Sequence, residues 1–276
     1  MDVDIAEIAF YFTIVAFVFW ETISPRRVLL QPTWLRWFNH FLLFLLNSFI
    51  YRWLAVGAFV VSDWYLAVQP WGLLNWLPLD DISLFIIGFL ALDFWAYIKH
   101  RLFHAVPMLW RLHRVHHSDL DIDVFTSFRA HPAAMLVDNG LSIAFYYLLG
   151  TSPELILTYI AVVSCYDLFT HANIKIPAPI ESLLSRLLIT PDKHRVHHSI
   201  DYKEGNSNYS TIFVCWDKLF NTYTPEPALG VDAEVVGVKG FNGATEVWLP
   251  AMLSQPFRAA SSSPVSTAKP QTTDTP

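Results

Sequence analysis

Several stretches of this 276-residue chain are too apolar, for too long, to be ordinary surface helices or loops. A segment immersed in lipid must satisfy its own backbone N–H and C=O groups, so such stretches are restricted to helices or closed barrels. Residues 5–20 (IAEIAFYFTIVAFVFW) are nearly all apolar, and Val3 and Ile23 extend them toward the ~20 residues of a crossing helix. Their front end is acidic and no small-residue cleavage site follows, which argues against a secretory signal. A second span is predicted over 38–61, where Arg52 must snorkel or find a partner, and a third over 82–98. Two shorter apolar runs, 135–149 and 155–169, are interrupted by GTSP at 150–153. They read as two thin spans or as a hairpin that enters and leaves by one face. The composition agrees: 54% of residues are hydrophobic and 15% charged, against about 25% charged in soluble domains. Mean hydropathy is positive, +0.36. The expected fold is all-α, a polytopic membrane helical bundle with a cytoplasmic helical cap carrying the histidine clusters described next.

Charge distribution sets the expected orientation. Arg26, Arg27 and Arg36 follow the first span, the 62–81 loop has no Lys or Arg, and Lys99, Arg101, Arg111 and Arg114 follow the third. The positive-inside rule then puts the N-terminus outside and the histidine clusters in the cytoplasm. Trp20, Trp34, Trp37, Trp64, Trp71 and Trp76 lie near predicted span ends, where they form an aromatic belt or simply pack. A net charge of −6 provides no basic field for nucleic acid. Cys165 and Cys215 stand far apart and are expected to be packed apolar thiols.

The hexapeptide HRVHHS occurs twice, at 113–118 and at 194–199. On a helix, positions i, i+3 and i+4 share a face, so each copy aims three imidazoles in one direction. His113, His116 and His117 form one triplet, and His194, His197 and His198 the other. His100 and His104 make an i, i+4 pair after the third span, and His171 ends the fifth apolar run. Neutral imidazole is a ligand for zinc, copper, iron and nickel, and a structural zinc takes four ligands. Nine imidazoles are too many for one ion and suit two. Clustered without metal, they would need many compatible tautomers and would repel on protonation. His131 (FRAHP) is expected either to ligate or to have a packing or supporting role, and His40 to be structural or interfacial. A membrane metal transporter or buffer and a zinc-dependent hydrolase remain as alternatives to redox chemistry. The transporter is disfavoured because the clusters follow the spans instead of lying within them.

The ordered motifs HRLFH, LWRLHRVHHS, FRAHP, FTHANI, TPDKHRVHHS, NSNYS and WDKLFNTY resemble the fatty acid hydroxylase/sterol desaturase superfamily, particularly its bacterial members. The likeness extends over roughly residues 20–257. It implies a non-haem di-iron membrane oxidoreductase that uses O2 to hydroxylate or desaturate a lipid C–H bond, with zinc able to replace the iron. On this resemblance His100, His104, His113, His116, His117, His194, His197 and His198 match the box positions, and His171 a further ligand position. The chain departs from its relatives at Ala134, where a carboxylate is common, and at Ser210 and Asn221, where glycines are common. The apolar run at the front gives an expected N-terminal transmembrane helix over 1–24; the resemblance implies a catalytic domain over 25–225 with an extension over 226–257, and a bacterial inner-membrane location. Residues 258–276 are rich in Ser, Thr, Pro and Ala and are expected to be a disordered tail.

Ligating imidazoles are usually oriented through their second ring nitrogen. Asp93, two turns before His100, and Asp167, four residues before His171, are candidates, and His131 is a third. Asp119, Asp121, Asp123 and Asp192 are expected to be solvated loop carboxylates or helix caps. The lipid substrate should enter from the bilayer. No GxGxxG loop or CxxC motif is present to carry electrons, so an external donor of ferredoxin, cytochrome b5 or reductase type is expected.

Overall fold

The chain is known from a computed structural model that describes residues 5–66, 71–232 and 234–260. Its long helices are α1 (Ile5–Ile23), α2 (Thr33–Leu66), α3 (Asp81–Ala105), α4 (Pro107–His117), α5 (Pro132–Leu149) and α6 (Pro153–His171). Shorter ones follow: α7 (Ala178–Leu184), α8 (Pro191–His197), α9 (Cys215–Leu219) and α10 (Leu249–Ser254). The described residues contain no named strand, only three isolated bridges such as Pro25 with Ile174. The architecture is the expected all-α bundle.

Local chemistry starts and stops the helices. Asp80 caps α3 by accepting from the backbone N–H of Ile82 and Ser83 at 3.1 and 3.0 Å. Ser152 caps α6 from Leu155 N at 3.2 Å, with Pro153 in the first turn. Gly150 ends α5 in the left-handed region (φ 74°). It lies so close to Gly72 that a Cβ on Gly72 would stand 2.2 Å from the Gly150 Cα. The interruption at 150–153 therefore separates two complete helices of 18 and 19 residues. Each is about 27 Å long, near the hydrocarbon thickness of a bilayer.

Among the described residues four helices, α1, α3, α5 and α6, are long and apolar enough to cross a membrane. α3 packs against both α5 and α6, α1 lies on α6, and α2 on α5. Leu74, Leu92, Leu149, Leu155, Tyr159 and Ile212 form a buried core where they meet. On α1, Ile5, Ile8, Phe12, Val15 and Phe19 are exposed along one stripe, an apolar face suited to lipid. The second predicted span falls on α2, with Arg52 exposed. Trp64 and the other side chains beyond Arg52 on that helix lie outside the described residues, as do Val3 and residues 261–276.

Several sequence expectations change here. Asp119 and Asp123 are buried, not solvated, and both bind the buried Arg36. Arg36 Nη2 donates to Asp119 Oδ2 at 2.8 Å and Nη1 to Asp123 Oδ2. Asp121 is also buried and accepts from the backbone N–H of Leu30 and Gln31, both at 2.8 Å. Asp123 does cap, accepting from Phe125 N at the start of a 3₁₀ turn. Asp192 pairs with Arg26 at 3.1 Å. Two of the arginines read as loop charges are thus internal partners. Trp37 donates to Asp123 Oδ2 at 3.0 Å and stacks on Phe125, so it packs; Trp34, Trp71 and Trp76 are exposed. Cys165 is half-buried but Cys215 is exposed, which corrects the expectation that both are packed. Arg258, placed at the start of the tail, is anchored instead: it donates to Glu246 at 2.9 and 2.5 Å, and its carbonyl accepts from Arg114 at 2.7 Å.

Breaking a buried ion pair by removing one partner strands the other charge. Arg36→Met should therefore destabilise the protein by about 3–5 kcal/mol. Thermal melting of the purified protein in detergent checks this, and an unchanged midpoint would show that the Arg36 network does not hold the fold.

Candidate metal centre

The helix ends deliver the imidazoles. His100 and His104 stand in the last turns of α3, His171 ends α6, and the two hexapeptides lie on α4 and α8, with His198 capping α8. All nine sequence-selected histidines come together, in two groups. His100, His104, His113, His117 and His197 form one, and His116, His171, His194 and His198 the other. Within each group one nitrogen per ring lies within 4.8 Å of all the others.

Each hexapeptide serves both groups. His113 and His117 join the first while His116 crosses to the second; His194 and His198 join the second while His197 crosses to the first. The two copies are near images of each other. The rings of His113 and His116 are 5.4 Å apart at 29°, as are those of His194 and His197. His117 stacks on His198 between them, at 4.4 Å and 21°. His100 and His171 occupy matching places: His100 Nε2 is 3.0 Å from His113 and 2.9 Å from His197, and His171 Nε2 is 3.0 Å from His194 and 3.1 Å from His116. Among the described residues His104 has no counterpart in the second group.

Tautomers test whether these groups suit a metal. His100 Nδ1 lies 2.8 Å from the Tyr209 carbonyl, and His197 Nδ1 lies 2.7 Å from the Ser207 carbonyl. A carbonyl only accepts, so both Nδ1 atoms carry the proton and both Nε2 atoms present lone pairs. Those two Nε2 atoms face each other at 2.9 Å with no hydrogen between them. A cation held by both removes the conflict. With metal–nitrogen bonds of ~2.1 Å, ligands at right angles stand ~3.0 Å apart, and the close Nε2 pairs in both groups span 2.9–3.2 Å. The donor set therefore fits a pair of imidazole-bound metal ions.

Burial, followed by mutual repulsion among the rings, pushes His113, His117, His194, His197 and His198 well below the ordinary imidazole range. Burial brings His116 down to about 3. These six rings are thus kept neutral, as ligation requires.

The supporting residues differ in part from those read in the sequence. Asp167 does orient His171, whose Nδ1 lies 2.8 Å from its carbonyl and 3.4 Å from its carboxylate. Asp93 does not reach His100. Its carboxylate accepts from Ile212 N and Phe213 N, both at 3.3 Å, and from Trp216 Nε1 at 2.8 Å. His131 caps α5 through Nδ1 and meets the Leu253 carbonyl at 3.2 Å, away from both groups. The orienting atoms missed in the sequence are backbone carbonyls of the 206–210 segment (NSNYS). Asp217 pins that segment by accepting from Tyr209 N and Ser210 N, both at 2.9 Å. Asn208, in the left-handed region (φ 52°), bridges the Lys193 and Thr224 carbonyls. Asn221 is also left-handed (φ 55°), a conformation that glycine adopts without strain. His40 is structural, buried and 3.2 Å from Arg129 Nη1.

A cavity of about 630 Å³ opens onto His100, His113, His116, His171 and His194. Phe10, Phe44, Phe128, Met135, Ile160 and Val163 supply much of its apolar wall, between helices suited to a membrane.

Residues 85–222, half of the chain and including all nine clustered histidines, match the fatty acid hydroxylase family model. The chain belongs to the fatty acid hydroxylase family, within the fatty acid hydroxylase/sterol desaturase superfamily. It is 34% identical over 178 residues to an ornithine lipid hydroxylase of Rhizobium tropici, covering 62% of this chain and 50% of that protein. It is 29% identical over 184 residues to an alkylglycerol monooxygenase of Danio rerio, covering 66% and 39%. A sphinganine C4-monooxygenase of Arabidopsis thaliana is 26% identical over 144 residues, covering 51% and 54%. The chain thus spans about half the length of these relatives, or less. No solved structure matches it.

The neutral imidazoles leave a signature in the metal-free protein. On unfolding below pH 6.5, the ordinary imidazole value, His113, His116, His117, His194, His197 and His198 take up protons that they refuse in the folded chain, whereas His171, where burial is outweighed by the Asp167 carboxylate, is raised and works in the other direction. Stability of chelator-treated protein should be full above pH 6.5 and should fall as the pH drops toward 3. Melting temperatures at about pH 8, 6 and 5 read this directly; a flat profile would mean that the rings are not held neutral.

Proposed function

We propose that the protein is an O2-dependent non-haem di-iron membrane oxidoreductase that hydroxylates or desaturates a lipid C–H bond. The observation that carries this reading is the pair of lone-pair-bearing imidazole groups opening onto a largely apolar cavity between membrane-suited helices. The names of the relatives, lipid hydroxylases and monooxygenases, support it.

His100, His104, His113, His117 and His197 would hold one ion, and His116, His171, His194 and His198 the other. When bound, the two ions supply the oxygen activation needed to attack an unactivated C–H bond. Zinc can occupy the same cage by replacement. The chain's own residues do the rest. The carbonyls of Ser207, Tyr209 and Asp167 keep His197, His100 and His171 in the ligating tautomer. The apolar cavity wall excludes water and places the substrate beside the imidazoles. Hydroxylation consumes dioxygen, two electrons and two protons and releases water; the electrons come from an external donor of ferredoxin, cytochrome b5 or reductase type.

In this reading the first 24 residues form the N-terminal membrane helix, residues 25–225 the catalytic unit, and 226–257 its extension. The protein lies in a bacterial inner membrane with its N-terminus outside and the imidazoles facing the cytoplasm, as the cations that follow α3 imply.

Iron-loaded enzyme incubated with reductant, O2 and total lipid extract should yield, by mass spectrometry, lipids that gain one oxygen or lose two hydrogens. His116→Ala and His197→Ala should each abolish turnover and lower bound iron while the protein still inserts. Near-normal activity in either variant would refute the ligand assignment. Sidedness has its own test. Tyr202 is exposed just beyond the second hexapeptide. In a background with both cysteines removed, Tyr202→Cys should react with an impermeant maleimide in inverted vesicles and not in right-side-out ones; the reverse pattern would invert the topology.

A further inference from the structure

The cavity wall is not uniformly apolar. Lys99 on α3 and Asp138 on α5 both line it, within helices suited to crossing a membrane. Lys99 Nζ donates to both Asp138 carboxylate oxygens, at 2.7 and 2.8 Å, and to Ser142 Oγ at 2.6 Å, which uses its three donors. Lys99 is buried, whereas the Asp138 side chain is 43% exposed. A carboxylate offers about four acceptor positions, and Lys99 occupies only part of that capacity. Two further polar atoms among the cavity's lining residues are buried without a partner: Asn47 Oδ1 and the Tyr159 hydroxyl. Charges inside a membrane helix are costly and mark function more often than stability. Of these groups Asp138 is the one that is both partly exposed and an acceptor with capacity to spare.

Position along the helix sharpens the point. Lys99 immediately precedes His100, so the two differ by about 1.5 Å of rise along α3. The ion pair therefore stands level with the imidazoles, not half a membrane away.

We infer that Asp138, held by Lys99, seats a hydrogen-bond-donating head, hydroxyl or ammonium, of the lipid substrate, so that the C–H bond attacked lies within a few bonds of that head. The hydrocarbon chain then runs past Phe44, Phe128 and Ile160 toward the lipid. The identity of the attacked bond rests on the oxidase reading above; the head-group site does not.

Binding to chelator-treated protein in nanodiscs tests the site independently of turnover. The probes are hexadecylglycerol ether, hexadecylamine and hexadecyl methyl ether, which carry hydroxyl, ammonium and no donor. Wild-type protein should bind at least one donor probe about tenfold or more tighter than the methyl ether; which one names the head. Asp138→Asn leaves Lys99 without its anion and could disturb folding, so the deciding variant is Lys99→Met/Asp138→Leu, which replaces the pair by apolar groups. It should lose the preference yet keep its methyl ether affinity and its metal content. Equal binding of all three probes by wild type, or a preference that survives in the double variant, would overturn the inference. On loaded enzyme, mass spectrometric fragmentation should place the new oxygen or double bond near the head; a position deep in the chain would also overturn it. A retained donor preference without any turnover would support the head-group site and count against the oxidase reading alone.

Discussion

Two imidazole lone pairs, on His100 and His197, are forced to face each other at 2.9 Å because each ring has already given its only proton to a carbonyl. Most of the polar architecture can be understood as keeping that uncomfortable arrangement in place. The carbonyls belong to Ser207 and Tyr209, in a short irregular segment with no regular hydrogen-bond ladder of its own. Asp217 grips its N–H groups from one side, and Asn208 ties it to the backbone at Lys193 and Thr224. Asp93 secures the residues that follow, 212–216. A carboxylate placed in the middle of α3 thus acts on His100 at one remove, by holding the residues that follow the irregular segment bearing the Tyr209 carbonyl.

The first hexapeptide is held by a different device. Arg129 is buried and reaches the Val115 carbonyl, Ser118 Oγ and the Glu246 carbonyl, while Arg36 gathers Asp119 and Asp123 just beyond the same hexapeptide. Arg114, inside the hexapeptide, fastens the C-terminal extension through the carbonyls of Gln255 and Arg258. Residues far from the cavity are therefore structural conditions for the geometry of His113, His116 and His117. Charged side chains this deep lose much hydration, and the number of partners around each guanidinium is what makes their burial tolerable.

What could be read in advance was what is local. Helix spacing turned HRVHHS into three imidazoles on one face, and apolar runs located the long helices. Their relation could not be read. Nothing in the chain's order indicates that His116 and His197 each leave their own triplet for the other group, because that depends on how α4 and α8 meet. The roles of Asp119, Asp121 and Asp123 were hidden for the same reason: a carboxylate in a loop sequence looks solvated until its distant partner is found beside it, Arg36 for Asp119 and Asp123 and the Leu30 and Gln31 N–H groups for Asp121. The orienting carbonyls were invisible in kind, since every residue has one and only the fold decides which is aimed at a ring.

The exchange of one imidazole between the two groups has a consequence for assembly. Any ion that draws His197 toward His100 also steadies α8, which supplies His194 and His198 to the other group, and His116 links α4 to that group in the same manner. Occupancy of one group would lower the ordering cost of the other, so a centre holding two ions in this arrangement would fill and empty cooperatively.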